Sequence, residues 1–195
     1  MIRELGPFSI DRVCSAVQKV RDRLFRAAAA LDGAGVRYAV VGGNAVALWV
    51  SRVDDSAVRA TQDVDILVRR SDFAASRAAL EAAGFIYRHS SSIDMFLDGP
   101  GAKARDGVHL LYANERVRPD QTMLNPDVDE SERADRFTVV ALAGLVRLKL
   151  SSFRDKDRTH LRDLIGVGLL GARDVAGLDP VLAERLQGLL DTPEG

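Results

Sequence analysis

Apolar residues recur at helical spacing through Val13, Val17, Val20, Leu24, Ala28 and Leu31, with arginines and aspartates between them and Gly33-Ala34-Gly35 behind them. That period predicts an amphipathic opening helix over residues 11–32 that packs against a sheet. Tyr38-Ala39-Val40-Val41 is short, apolar and partly β-branched, and it stops at two glycines. It predicts a strand, and Asn44-Ala45-Val46-Ala47-Leu48-Trp49 predicts a helix directly after the glycines. In Asp63-Val64-Asp65-Ile66-Leu67-Val68 the pattern switches to a period of two. Val64, Ile66 and Val68 then face a core, and Asp63 and Asp65 emerge together on the other side.

Ser71-Asp72 supplies a helix start, with the helix running to Gly84. Three strands follow, at Phe85-Ile86-Tyr87-Arg88, Ile93-Asp94-Met95-Phe96-Leu97 and Val108-His109-Leu110-Leu111-Tyr112. The last two are joined through the glycine- and charge-rich stretch Asp98–Gly107. Residues 114–135 are polar, contain two prolines and predict an irregular surface segment. Beyond Phe137-Thr138-Val139-Val140 the spacing of Leu142, Leu145, Leu148, Leu161, Leu164 and Ile165 predicts a helical tail. The expected architecture is α+β: residues 1–140 form an α/β core with a mixed sheet flanked by helices, and residues 141–195 a helical C-terminal segment packed on it.

Composition narrows the class only slightly. Of 195 residues 47% are hydrophobic and 28% charged, as in an ordinary globular protein, and the formal net charge is −1. That balance excludes a surface built throughout for nucleic acid and leaves room for a local basic patch. Cys14 is the lone cysteine, so no intramolecular disulfide forms. Its place near the apolar side of the opening helix predicts a buried, inert thiol. No stretch has the length of a membrane span or the layout of a signal peptide, and a reducing cytoplasm is the expected setting. Nothing in the pattern specifies an oligomeric state.

The chemistry concentrates at the glycine pair and the two aspartates. Adjacent carboxylates repel, and a cation relieves the repulsion. Hard oxygen ligands at such positions suit Mg²⁺, which takes one or two carboxylates together with substrate phosphates. Gly42 and Gly43, at the start of a helix, leave backbone N–H groups free to meet a phosphate with no Cβ in the way. Lys149, between Leu148 and Leu150, must snorkel or be paired. It shares a face with Lys156, two turns on, if the helix runs unbroken, and cations there can meet triphosphate oxygens. Arg59 and Thr61 precede the carboxylate strand and are placed to position phosphate or a metal-bound water. Arg154, Arg158 and Arg162 read as a solvated, salt-bridged face, Trp49 as core, and His160 with Asp163 as a pair without the companions a metal site needs.

The run Val40-Val41-Gly42-Gly43-Asn44, followed by Arg59-x-Thr61-x-Asp63-x-Asp65, resembles the nucleotidyltransferase superfamily that includes DNA polymerase β. Within it the chain is similar to small bacterial members related to abortive-infection and toxin-antitoxin nucleotidyltransferases. The resemblance covers roughly residues 36–165 and is strongest over 38–68 and 139–164. It implies a nucleotidyltransferase-type sheet, Mg²⁺ held by Asp63 and Asp65, and a nucleoside triphosphate, ATP first, seated on Gly42, Gly43, Asn44, Thr61, Lys149 and Lys156. The implied reaction moves a nucleoside monophosphate to a hydroxyl of an RNA, protein or small-molecule acceptor, with pyrophosphate leaving. Most active members carry a third acid on a neighbouring strand, and the resemblance puts His109 at that position here. It is the expected third catalytic residue beside Asp63 and Asp65, as general base or ligand. Asp94 is the substitute acid, with Asp106 and Glu115 weaker because they fall in loops. Two other readings stay open: a nucleotide-binding relative without transfer, and an interaction protein such as one half of a toxin-antitoxin pair.

Overall fold

A computed structural model describes residues 9–90, 93–118 and 121–192. The opening helix α1 spans Ile10–Gly33. Then come β1 (Tyr38–Val41), α2 (Gly42–Ser51), β2 (Val64–Val68), α3 (Phe73–Ala82), β3 (Ile86–Ser90), β4 (Ile93–Leu97) and β5 (Val108–Tyr112). β6 (Ser131–Arg133) and β7 (Thr138–Val140) follow, and α4 (Leu142–Ser152), α5 (Asp155–Gly166) and α6 (Pro180–Asp191) end the chain. The seven strands form one mixed sheet in the order β3-β4-β5-β2-β1-β7-β6. β2 pairs parallel with β5 and β1 parallel with β7, while the other four pairings are antiparallel. This is the α+β architecture the alternation of patterns predicts.

Helices cover both faces, which is why Ile66 and Leu67, neighbours that point to opposite sides, are both fully buried. Phe73 of α3 packs edge-on against Tyr87 and Tyr112, and α3 packs along α1. Tyr112 is paired with Val68 and Leu110 with Asp94, so this face carries the apolar side of β2 together with Asp94. On the other face α2 packs against α4 and α5, and the Trp49 indole donates to Val140 O at 3.1 Å, fixing α2 on β7 as a core residue would. No helix among the described residues is long and apolar enough to cross a membrane.

Four expectations are corrected. Val13 and Val17 are 58% and 49% exposed, because a helix of 24 residues, ~36 Å long, outruns the strands it lies on; its apolar face meets the core from Val20 onward and is buried from Leu24. Cys14, in that overhanging half, is exposed rather than buried. Residues 114–135 are not all surface. They include β6 and bury Gln121 and Asn125, the latter donating to Tyr112 O at 2.9 Å. Finally, the helix carrying Lys149 does not reach Lys156: Phe153 adopts a left-handed φ of 45°, α4 stops at Ser152 and α5 starts afresh.

Candidate active site

β1 runs straight into α2 with no loop, and the junction is Gly42. Its φ of +68° is one that L side chains rarely adopt, and a Cβ there would overlap the Asp65 carboxylate, with Cγ 2.8 Å away. A Cβ on Gly43 would lie 2.7 Å from Thr61 Oγ1. The helix start therefore seats directly on the acidic segment. Asn44 Nδ2 donates to Asp63 O at 2.8 Å, and Thr61 Oγ1 donates to Asp63 Oδ1 at 3.0 Å. Gly43, Asn44 and Thr61 thus brace the aspartates. The α2 terminus has no side-chain cap, so its first N–H groups and the positive end of its dipole are free to meet an anion.

The register Val41↔Asp65 and Asp65↔His109 places three neighbouring strands' residues on one side of the sheet. Asp63, Asp65 and His109 each offer a ligand atom, and these atoms lie within 4.8 Å of one another. His109 Nδ1 is 3.4 Å from Asp65 Oδ1, and its Nε2 is 2.8 Å from Ala104 O. Side chains of 17% and 18% exposure at Asp65 and His109 leave the group reachable but partly desolvated. Two carboxylates and an imidazole in that compass are a fitting donor set for a divalent cation. Burial pushes the Asp65 carboxyl up, but the His109 ring, with Lys149 and Lys156 further off, outweighs it and holds the group below the usual carboxylate range. Asp65 in turn holds the imidazole above its ordinary value, against the opposing effect of burial.

A cavity of about 320 Å³ opens over this group, lined by Gly42, Asp63, Asp65, His109, Lys149 and Lys156 on its inner side. Lys156 Nζ lies 3.7 Å from Asp63 Oδ2. Lys149 is only 5% exposed and donates to Asp157 Oδ1 at 3.0 Å. Asp157, absent from the expected site residues, organises this wall by also accepting from Ser152 Oγ at 2.7 Å and Arg154 Nε at 2.8 Å. Its signal in the sequence is Lys149 itself, a lysine in an apolar run that needs a buried partner. Arg116 and Arg118 line the outer wall, exposed and with no carboxylate partner among the described residues.

Other expected residues stand elsewhere. Asp94 is on the opposite face of the sheet from Asp65, buried and accepting from Tyr87 Oη at 2.7 Å and from Tyr112 Oη. It cannot replace the third acid. Arg59 is paired with Asp163 at 2.8 Å and Glu115 with Arg70, so each is turned to a partner outside the aspartate pair. Arg158 pairs with Asp155 and Arg162 donates to Thr192 O, while Arg154, expected with them on a solvated face, turns instead to the buried Asp157. His160, half-buried, is pushed down to about 4 by that burial and by the charge of Lys149, and stays neutral.

No family model matches the sequence, and no curated protein matches it. Among solved structures, the chain is similar to an antigenic nucleotidyltransferase-like protein from Paracoccidioides brasiliensis, with a TM-score of 0.59 and 20% identity over 91% of this chain and 90% of that one. The fold is the nucleotidyltransferase fold. The antibiotic-resistance factor ANT(2'')-Ia superposes with a TM-score of 0.54 at 15% identity, over 93% of this chain and 96% of that one. Across such identities what is shared is the fold, so the chemistry must be argued from the residues in place.

Proposed function

We propose that the protein transfers a nucleoside monophosphate from a nucleoside triphosphate, ATP first, to a hydroxyl acceptor, using a divalent cation. The observation that carries this reading is the Asp63, Asp65 and His109 group seated against Gly42 at the uncapped start of α2. In this arrangement Asp63 and Asp65 hold the cation, which the sequence reading takes to be Mg²⁺. The α2 amides and Lys156 receive triphosphate oxygens, and Lys149, paired to Asp157, adds a fixed positive charge behind them. A cation bound there would supply positive charge to the triphosphate and to the departing pyrophosphate. The acceptor oxygen bonds the α-phosphorus as the α–β bridge breaks, pyrophosphate leaves and the hydroxyl proton passes to solvent. The exposed Arg116 and Arg118 on the outer wall favour an acceptor that itself carries negative charge, RNA before a polycationic small molecule.

A second reading is a nucleotide-binding relative that performs no transfer, favoured because His109, opposite Asp65, stands where the resemblance would put a third carboxylate. Incubation with each labelled triphosphate, a divalent cation and cellular RNA, protein and metabolite fractions separates the two. Transfer of label by the wild type and not by Asp63→Ala is the expected result. Cation-dependent triphosphate binding with no labelled product supports the second reading, and absence of both binding and transfer overturns the site.

A further inference from the structure

His109 is held in one orientation by a hydrogen bond whose direction is fixed. Ala104 O can only accept, so Nε2 carries the proton across its 2.8 Å contact. In the neutral ring Nδ1 then turns a lone pair towards Asp65 Oδ1, 3.4 Å away. Two acceptors facing each other need positive charge between them, either a second ring proton or a cation. Cis ligand atoms in four- and six-coordinate shells with bonds of ~2.1 Å sit about 3.0–3.4 Å apart. The Nδ1 to Oδ1 separation therefore fits two ligands of one ion as well as it fits a long hydrogen bond, and the Nε2–H to carbonyl bond is the usual means of orienting a ligating imidazole.

The rest of the group is equally fixed. Thr61 holds one oxygen of Asp63, Gly42 abuts Asp65, and the β2–β5 register sets His109 opposite Asp65. Imidazole nitrogen is a poor ligand for Mg²⁺ and a good one for first-row transition ions, whereas carboxylates and triphosphate oxygens also suit Mn²⁺. We infer that Asp63, Asp65 and His109 form a mixed carboxylate and imidazole site selective for first-row transition dications, Mn²⁺ among them, over Mg²⁺. The inference rests on Asp63 and Asp65 being the cation ligands of the proposed transferase, and it assigns His109 Nδ1 as a third ligand.

The test is direct binding of each metal alone to the intact protein, without nucleotide. Mn²⁺ is followed by loss of the free-ion EPR signal and Mg²⁺ by competition, in wild type, His109→Asp and Asp63→Ala. The ratio of Mn²⁺ to Mg²⁺ affinity is expected to fall about tenfold or more in His109→Asp, with Mg²⁺ bound at least as well as by the wild type. Electron spin-echo modulation from a coordinated imidazole nitrogen is expected in wild type loaded with Mn²⁺, and this readout stands even if His109→Asp fails to fold. An unchanged ratio, or bound Mn²⁺ with no nitrogen coupling, overturns the inference while Asp63→Ala still abolishes binding and keeps the site. Equal binding by wild type and Asp63→Ala overturns the site itself.

Discussion

Replacing Asp157 by asparagine should unfold the protein more readily than any change of one exposed charge. The Asp157 carboxylate is fully buried and accepts from Lys149 Nζ, Ser152 Oγ and both the backbone N and the Nε of Arg154. Lys149 is itself 5% exposed, so the variant strands an ammonium that is largely withdrawn from water. Removing one partner of a buried pair costs about 3–5 kcal/mol. For a chain of this size that lowers Tm by about 6–20 °C. Urea titration gives the free energy and calorimetry the midpoint. Lys149→Met combined with Asp157→Asn should recover part of the loss, since no ammonium is then buried without a counter-charge while the cap acceptor at 157 is kept.

The pH dependence of the same comparison carries a definite sign. Burial pushes the Asp157 carboxyl up, but Lys149, Arg154 and Ser152 together outweigh it and hold the group well below the usual carboxylate range. A depressed folded-state pKa means the unfolded chain takes up this proton first. The stabilisation is then complete above the unfolded value of about 4 and is lost as the pH falls below it. The gap between wild type and Asp157→Asn should hold steady from about pH 5 upward and narrow under acid conditions. A loss under about 1 kcal/mol, or a gap that widens as pH falls, would refute the account of this buried pair.

Gly42→Ala should cost about 1–2 kcal/mol for the left-handed backbone and abolish the cation-induced rise in Tm, because the new methyl displaces the Asp65 carboxylate. A variant with the wild-type cation response would separate Gly42 from the site. Asp94→Asn should lower stability by about 1–3 kcal/mol through its two tyrosine donors yet leave cation binding unchanged, since Asp94 faces the other side of the sheet. Loss of metal affinity in that variant would return Asp94 to the candidate ligands.

Local pattern carried a long way into this fold. The paired apolar runs and their glycine or polar boundaries located β1, β2, β4 and β5, and the alternation in β2 put Asp63 and Asp65 on one side. What pattern could not supply was anything decided between elements. The exposed start of α1, with Cys14 on it, depends on where the sheet ends, and no residue of the helix records that. The break at Phe153 has no glycine or proline to announce it; it follows from Asp157 capping a new helix through the Arg154 N–H at 3.2 Å. Asn125 and Gln121 are polar in sequence but satisfied inside the fold, so hydropathy placed them on the surface.

Asp94 and His109 show the same limit at the site, and their difference is one of register. Within a strand, parity is fixed by the sequence; between strands it is fixed only by pairing. β5 pairs with β2 so that Val108, Leu110 and Tyr112 lie against Val64, Ile66 and Val68, all of them buried on the face that meets α1 and α3. That apolar match leaves His109 opposite Asp65. A slip of one residue would drive the imidazole into the core and bring an aliphatic side chain to the carboxylates. β4 is set against β5 with Met95 opposite His109, which commits Asp94 to the far face however acidic it is. The third position of the candidate site is thus held by the core residues of β5, and its chemistry is specified from the opposite side of the sheet.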